Sequence, residues 1–208
     1  MTKVLIVYSG WAGHDPAGVS SLLATLLEQN SVEVTHTDDL DIFTQADLKA
    51  YDLIVPVWTM ESMAATRLQP LLDAVRSGVG IAGLHGIIDS FRHEAEFHLM
   101  LGGQWVTHFD FSVRTYRVFM DGEPSPITEG LPTITVTTEQ YYLLVDPANT
   151  ILATMRVGDT VMPVAWTKRY GRGRVFYCSL GHNVDVLRQP DVIELIRRGM
   201  SWAAERDA

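Results

Sequence analysis

Short, unbroken apolar runs separated by stretches of helical periodicity constrain this chain more than any other feature. Residues 3–8 (KVLIVY), 52–58 (DLIVPVW) and 80–84 (GIAGL) are each too short for a stable helix and too uniformly apolar for a strand with one wet face. Strands buried on both sides read this way, and they belong to parallel sheets covered by helices. Between them, Asp15 and Pro16 open a periodic stretch through Leu27, as N-cap and first helical residue. Residues 32–36 form a further β-rich segment, and 43–50, 64–76 and 90–101 carry helical spacing. Right-handed crossovers then predict an α/β, doubly wound, mostly parallel sheet.

The second half reads differently. Residues 112–120, 133–138, 150–155, 161–168 and 174–180 are β-rich, and Lys168 to Arg174, with two glycines, reads as a hairpin turn. Residues 191–204 close the chain as an amphipathic helix after Pro190. This half adds antiparallel strands to one side of the sheet, and its exposed edge strands leave a homodimer open. With 208 residues, no repeat and no linker, a single domain over 1–208 is expected.

Composition narrows the function classes. Hydrophobic residues make up 47% and charged residues 20%, which suits a packed core. A net charge of −9 repels phosphate backbones, so nucleic acid is not an expected partner. The cluster Lys168, Arg169, Arg172 and Arg174 reads as a solvated turn. No apolar run approaches a membrane span. The N-terminal MTKVLIVYSG lacks a signal-peptide pattern, and a lone cysteine, Cys178, fits a reducing compartment, so a cytoplasmic location is expected. Cys178 itself sits in an apolar run and reads as a buried thiol rather than a nucleophile.

In open α/β sheets, ligands bind beyond the carboxyl ends of the strands. There the chain places Trp11 and His14, then Trp58 and Glu61, then His85 and Asp89, and finally His182. His85, in Gly83-Leu84-His85-Gly86, occupies a sharp strand-to-helix turn of the kind that exposes a nucleophile. With no Ser or Cys there, covalent acyl transfer is not supported. An imidazole at that point can be a general base or a metal ligand; it can equally cap the next helix or bond a backbone carbonyl. His182, in Gly181-His182-Asn183, and His14, in a Gly-containing loop, carry the same alternatives.

Glu139 opens Glu139-Gln140-Tyr141-Tyr142, a carboxylate followed by aromatics, which suits a sugar or a strand end beside core tyrosines. Trp11, Trp58, Trp105 and His108 are further candidates for lining the same cleft, whereas His36, His93 and His98 have weaker claims, the last two as helix residues. Neither H-E-x-x-H nor C-x-x-C occurs, and Gly10-Trp11-Ala12-Gly13 lacks the dinucleotide spacing, so no nucleotide cofactor is expected.

Taken in order, these elements resemble the trehalose-utilisation (ThuA-like) family along nearly the whole chain. The resemblance rests on Gly13-His14, on Gly83-Leu84-His85-Gly86, and on the run from Gly102 to His108. It continues through Pro126 to Pro132, Thr138-Glu139-Gln140-Tyr141-Tyr142, Pro163 to Trp166, Tyr170 to Tyr177, and Leu180-Gly181-His182. It implies a flavodoxin-like, class I glutamine amidotransferase-like fold without the amidotransferase cysteine, and a role in using trehalose and related disaccharides. His85 stands where those enzymes carry their nucleophile, and His182 near their catalytic histidine. In one departure, His108 is followed by Phe109 rather than Pro, which changes the loop carrying His108.

The resulting expectation is an enzyme acting on a sugar or an oxidised disaccharide derivative, as hydrolase, lyase or isomerase rather than amidotransferase. His85, His182 and Glu139 would be catalytic, and His14, Trp11, Trp58, Tyr141 and His108 would bind substrate. His85, His182 and His14 are also the candidate ligands of a divalent metal such as Zn2+. The alternative is a sugar-binding or partner subunit without turnover.

Overall fold

In the computed structural model, which describes residues 1–110 and 113–206, the first half alternates strand and helix. The order is β1 (Lys3–Tyr8), α1 (Pro16–Glu28), β2 (Glu33–Thr37), α2 (Ile42–Gln45), β3 (Leu53–Val57), α3 (Ala65–Arg76), β4 (Gly80–Leu84) and α4 (Ala95–Leu101). The second half runs β5 (Gly103–His108), β6 (Arg114–Phe119), β7 (Ile134–Thr138), β8 (Tyr141–Val145), β9 (Thr150–Val157), β10 (Thr160–Tyr170) and β11 (Gly173–Cys178). Two helices, α5 (Val184–Leu187) and α6 (Pro190–Ala204), follow. Ser112, expected to begin a strand, lies outside the described residues.

Nine strands form one sheet in the order β2-β1-β3-β4-β11-β10-β9-β6-β7. From β2 to β11 neighbours are parallel, in the flavodoxin-like order, and from β11 to β7 they are antiparallel. Buried residues fill β1, β3 and β4, because α1, α5 and α6 form one helical layer and α2, α3 and α4 another. The β10–β11 hairpin turns through Gly171 and Arg172, with Gly171 at φ 59°. Among the described residues no helix is long and apolar enough to cross a membrane.

Three local expectations are corrected. The helix expected over 90–101 is shortened: α4 begins only at Ala95, after a 3-10 turn at His85–Asp89 that lies before the expected span. Tertiary packing overrides the helical spacing there. Phe91 is left-handed at φ 52°, donates its N–H to the Glu61 carbonyl at 2.9 Å, and drives its ring between Trp58 and Phe97. His93 therefore lies in a turn, not on a helix. The helix expected over 43–50 splits into α2 and a 3-10 turn at Leu48–Ala50, where the Asp47 carboxylate accepts from Lys49 N–H and competes with the helix. Finally, β5 and β8, not foreseen as strands, pair antiparallel in a separate two-stranded sheet from Gly103↔Val145 to His108↔Tyr141.

Candidate functional site

His85 follows β4 with φ 41°, a left-handed conformation that costs a non-glycine residue about 1–3 kcal/mol and persists only where surroundings impose it. They do so at several atoms. The Tyr177 hydroxyl donates to the His85 carbonyl at 2.9 Å. His85 Nδ1 lies 2.9 Å from the carbonyl oxygen of Ser179, just past β11. A carbonyl only accepts, so Nδ1 carries the proton and Nε2 presents a lone pair. The Tyr141 hydroxyl donates to that Nε2 at 2.7 Å, and the two rings stack at 4.5 Å.

Three other loops bring side chains to the same point. His14, after β1, is oriented by a 2.7 Å contact between its Nδ1 and the Thr59 hydroxyl, after β3. His182 follows β11 and Gly181, whose φ of 105° suits glycine; its Nδ1 is 3.2 Å from His85 Nε2. Glu139 follows β7, the far edge of the sheet order, which comes back toward α5 and the ends of the parallel strands. Glu139 Oε2 sits 3.2 Å from His182 Nδ1, 3.3 Å from His85 Nε2, 3.3 Å from His108 Nε2 and 3.8 Å from His14 Nε2. One ligand atom from each of His14, His85, Glu139 and His182 falls within 4.8 Å of all the others.

Burial pushes the His85 imidazole below its usual range and brings His14 down to about 3, so both are neutral near neutral pH. For Glu139, burial works toward the neutral acid, but the surrounding imidazoles, His182 first, outweigh it and hold the carboxyl well below the usual carboxylate range. These contacts are short, yet none has the direction of a hydrogen bond: Glu139 Oε2 is buried without a hydrogen-bond donor. At His85 the reason is plain, since a lone pair faces an anionic oxygen. A buried carboxylate oxygen left so is costly, and the imidazole nitrogens converging around it form a donor set that suits a divalent cation. A ring N–H held by a backbone carbonyl, as in His85, is also how metal-ligating histidines are oriented.

The remaining sequence candidates separate. His108, at the end of β5, joins the rim through Glu139. Trp11 is 51% exposed, with its ring 4.9 Å from that of His14. Tyr141 reaches the cluster through its hydroxyl, but its ring is buried and offers no face to a sugar. Trp58 borders the small pocket beside Trp11, His14 and His85, but it is 2% exposed, with its ring packed edge-on between Phe43 and Phe91 in the core. His36 bonds Ser20, and His98 bonds the Gly103 carbonyl. Cys178 is buried, and burial pushes its thiol up to about 12, so it is no nucleophile. Thr59 and the Ser179 carbonyl were not foreseen as orienting groups. Thr59 stands beside Trp58 at a strand end, which is a sequence signal, whereas a backbone carbonyl leaves none.

The fold matches solved structures along its length. A protein of Bacteroides uniformis described as ThuA-like superposes with a TM-score of 0.83 at 18% identity, covering 97% of this chain and 91% of that one. One of Parabacteroides merdae, also described as ThuA-like, gives 0.79 at 19%, covering 98% and 90%. A cytoplasmic protein of Salmonella typhimurium gives 0.70 at 14%, covering 98% and 97%. Among curated proteins none matches the chain. The family model ThuA, described as trehalose utilisation, matches residues 3–203, and the chain belongs to that family.

Proposed function

We propose that this chain is a single-domain carbohydrate-utilisation enzyme. Its substrate is a sugar or an oxidised disaccharide derivative, and it works as a hydrolase, lyase or isomerase with a divalent cation such as Zn2+ held by His14, His85, Glu139 and His182. The observation that carries the proposal is the buried Glu139 Oε2, ringed by imidazole nitrogens and satisfied by none of them. When bound, such a cation polarises a substrate oxygen. The chain's own residues do the rest. The Ser179 carbonyl keeps the proton on His85 Nδ1 and the Thr59 hydroxyl orients His14. The Glu139 carboxylate supplies the negative charge, and His108 at the rim can exchange hydrogen bonds with substrate hydroxyls. Trp11 offers an exposed indole for the apolar face of a pyranose. The description of the family as trehalose utilisation supports the substrate class. The lone buried thiol and the absence of a membrane-crossing helix among the described residues support a cytoplasmic location.

Elemental analysis of protein purified without chelator, alongside chromatography of trehalose and oxidised trehalose after incubation, tests the proposal. We expect about one metal ion per chain, lost together with turnover in His85→Ala. A metal-free wild type whose turnover survives in His85→Ala would remove it. Sugar binding without turnover would point to a binding subunit.

A further inference from the structure

Besides the 3.2 Å approach of His182 Nδ1, itself a member of the cluster, the lone pair on His85 Nε2 has two claimants. The Tyr141 hydroxyl lies 2.7 Å from it, and the same nitrogen belongs to the four-atom donor set with His14, Glu139 and His182. Because the Ser179 carbonyl fixes the proton on Nδ1, Nε2 has no second lone pair to offer. It can accept from a phenol or coordinate a cation, but not both. Both rings are held: His85 by its Nδ1 contact and by the Tyr177 hydroxyl on its carbonyl, Tyr141 by its place in β8 and its stacking on His85.

We propose that Tyr141 competes with the cation for His85, and so sets how tightly the site holds its metal. Tyr141 is here a positioning residue. It keeps the buried His85 lone pair satisfied until a cation takes it, and the phenol released is then a hydrogen-bond donor at the edge of the cluster. The inference rests on the metal reading above. It explains an otherwise odd feature of the cluster: His85 Nε2 is satisfied by a neutral donor, while Glu139 Oε2 beside it is not.

Calorimetric titration with Zn2+ after dialysis against chelator tests it on the full chain, using the wild type, Tyr141→Phe, His85→Ala and the double variant. Tyr141→Phe keeps the stacked ring and removes only the hydroxyl. Losing a competing hydrogen bond of ordinary net strength should tighten Zn2+ binding about fivefold. In the His85→Ala background, where Zn2+ binding is weak or lost, the same change should neither restore nor tighten it, since nothing remains to compete for. A wild type that binds Zn2+ and a Tyr141→Phe variant that binds it equally or more weakly would overturn this inference alone. So would a tightening that persists without His85. Failure of both wild type and Tyr141→Phe to bind Zn2+ would overturn the metal reading, and this inference with it.

Discussion

Glu139 Oε2 lies 3.2 Å from His182 Nδ1, although Glu139 follows the outermost strand of the nine-stranded order and His182 follows a strand in its middle. The antiparallel half of the sheet thus delivers the one carboxylate of a site otherwise built from the ends of parallel strands. Glu139→Gln keeps the shape and removes the charge. Three neutral imidazoles hold a divalent cation less well than three imidazoles with a carboxylate, so Zn2+ affinity should fall by at least about 10–100-fold, read by calorimetry. Circular dichroism should show the fold unchanged.

Acid should destabilise the protein from the neutral side. Unfolded imidazoles take up protons below about 6.5, while His14 stays neutral down to about 3 and His85 titrates below its usual range. Within that window the unfolded chain binds more protons, so stability falls as pH falls. A fully withheld imidazole such as His85 contributes up to about 1.4 kcal/mol per pH unit, and partly exposed His14 less. Glu139 acts in the same direction lower down: its depressed folded value gives stability that is present above the unfolded value of 4.5 and lost as pH falls through the folded one. Thermal unfolding in chelator should show a Tm that is level between about pH 8 and pH 7 and declines below about 6.5. The decline should be shallower in His85→Ala. A Tm level to about pH 5 would contradict this account of the buried histidines.

Trp11 and the cation cluster should separate kinetically. The indole touches His14 only at its edge and is half exposed, so removing it leaves the ligand atoms in place. Trp11→Ala should raise KM for a disaccharide about tenfold, the worth of one aromatic stacking contact, with kcat and bound metal nearly unchanged. Equal loss of metal and KM would show that Trp11 braces the cluster instead.

The parallel half of the fold is legible in the chain because strands covered on both faces, such as β1, β3 and β4, read as unbroken apolar runs. The small sheet is not. Gly103–His108 alternates weakly in burial and has a bulge after Trp105, so each of its strands makes sense only beside the other. The same contrast holds at the site. His14, His85 and His182 stand directly after parallel strands, where topology alone predicts convergence. The position of Glu139 depends on the far end of the sheet coming back toward α5, which no local pattern encodes. Trp58 marks a further limit: its place at a strand end is correct, but the direction of its side chain is set by Phe43 and Phe91, which are distant in sequence.

Gly86 should matter as much to His14 as to its own backbone. A Cβ on Gly86 would stand 1.8 Å from the Thr59 hydroxyl oxygen and 2.7 Å from Thr59 Cβ, too close for either to remain. Thr59 is β-branched, and its backbone is tied to the β1 loop by Trp11 N–H, which donates to its carbonyl at 3.2 Å. It cannot retreat without moving that loop. Gly86→Ala should therefore push the hydroxyl off His14 Nδ1, 2.7 Å away, and release the imidazole from its orientation. Overpacking of this kind costs about 1–3 kcal/mol of stability, and loss of an orienting partner lowers metal affinity by about 10–100-fold. Thr59→Val removes the same orienting hydroxyl without the added volume. If the account holds, Thr59→Val should reproduce the loss of Zn2+ affinity with much less loss of Tm. A Thr59→Val protein that binds Zn2+ like the wild type would show that His14 needs no such anchor.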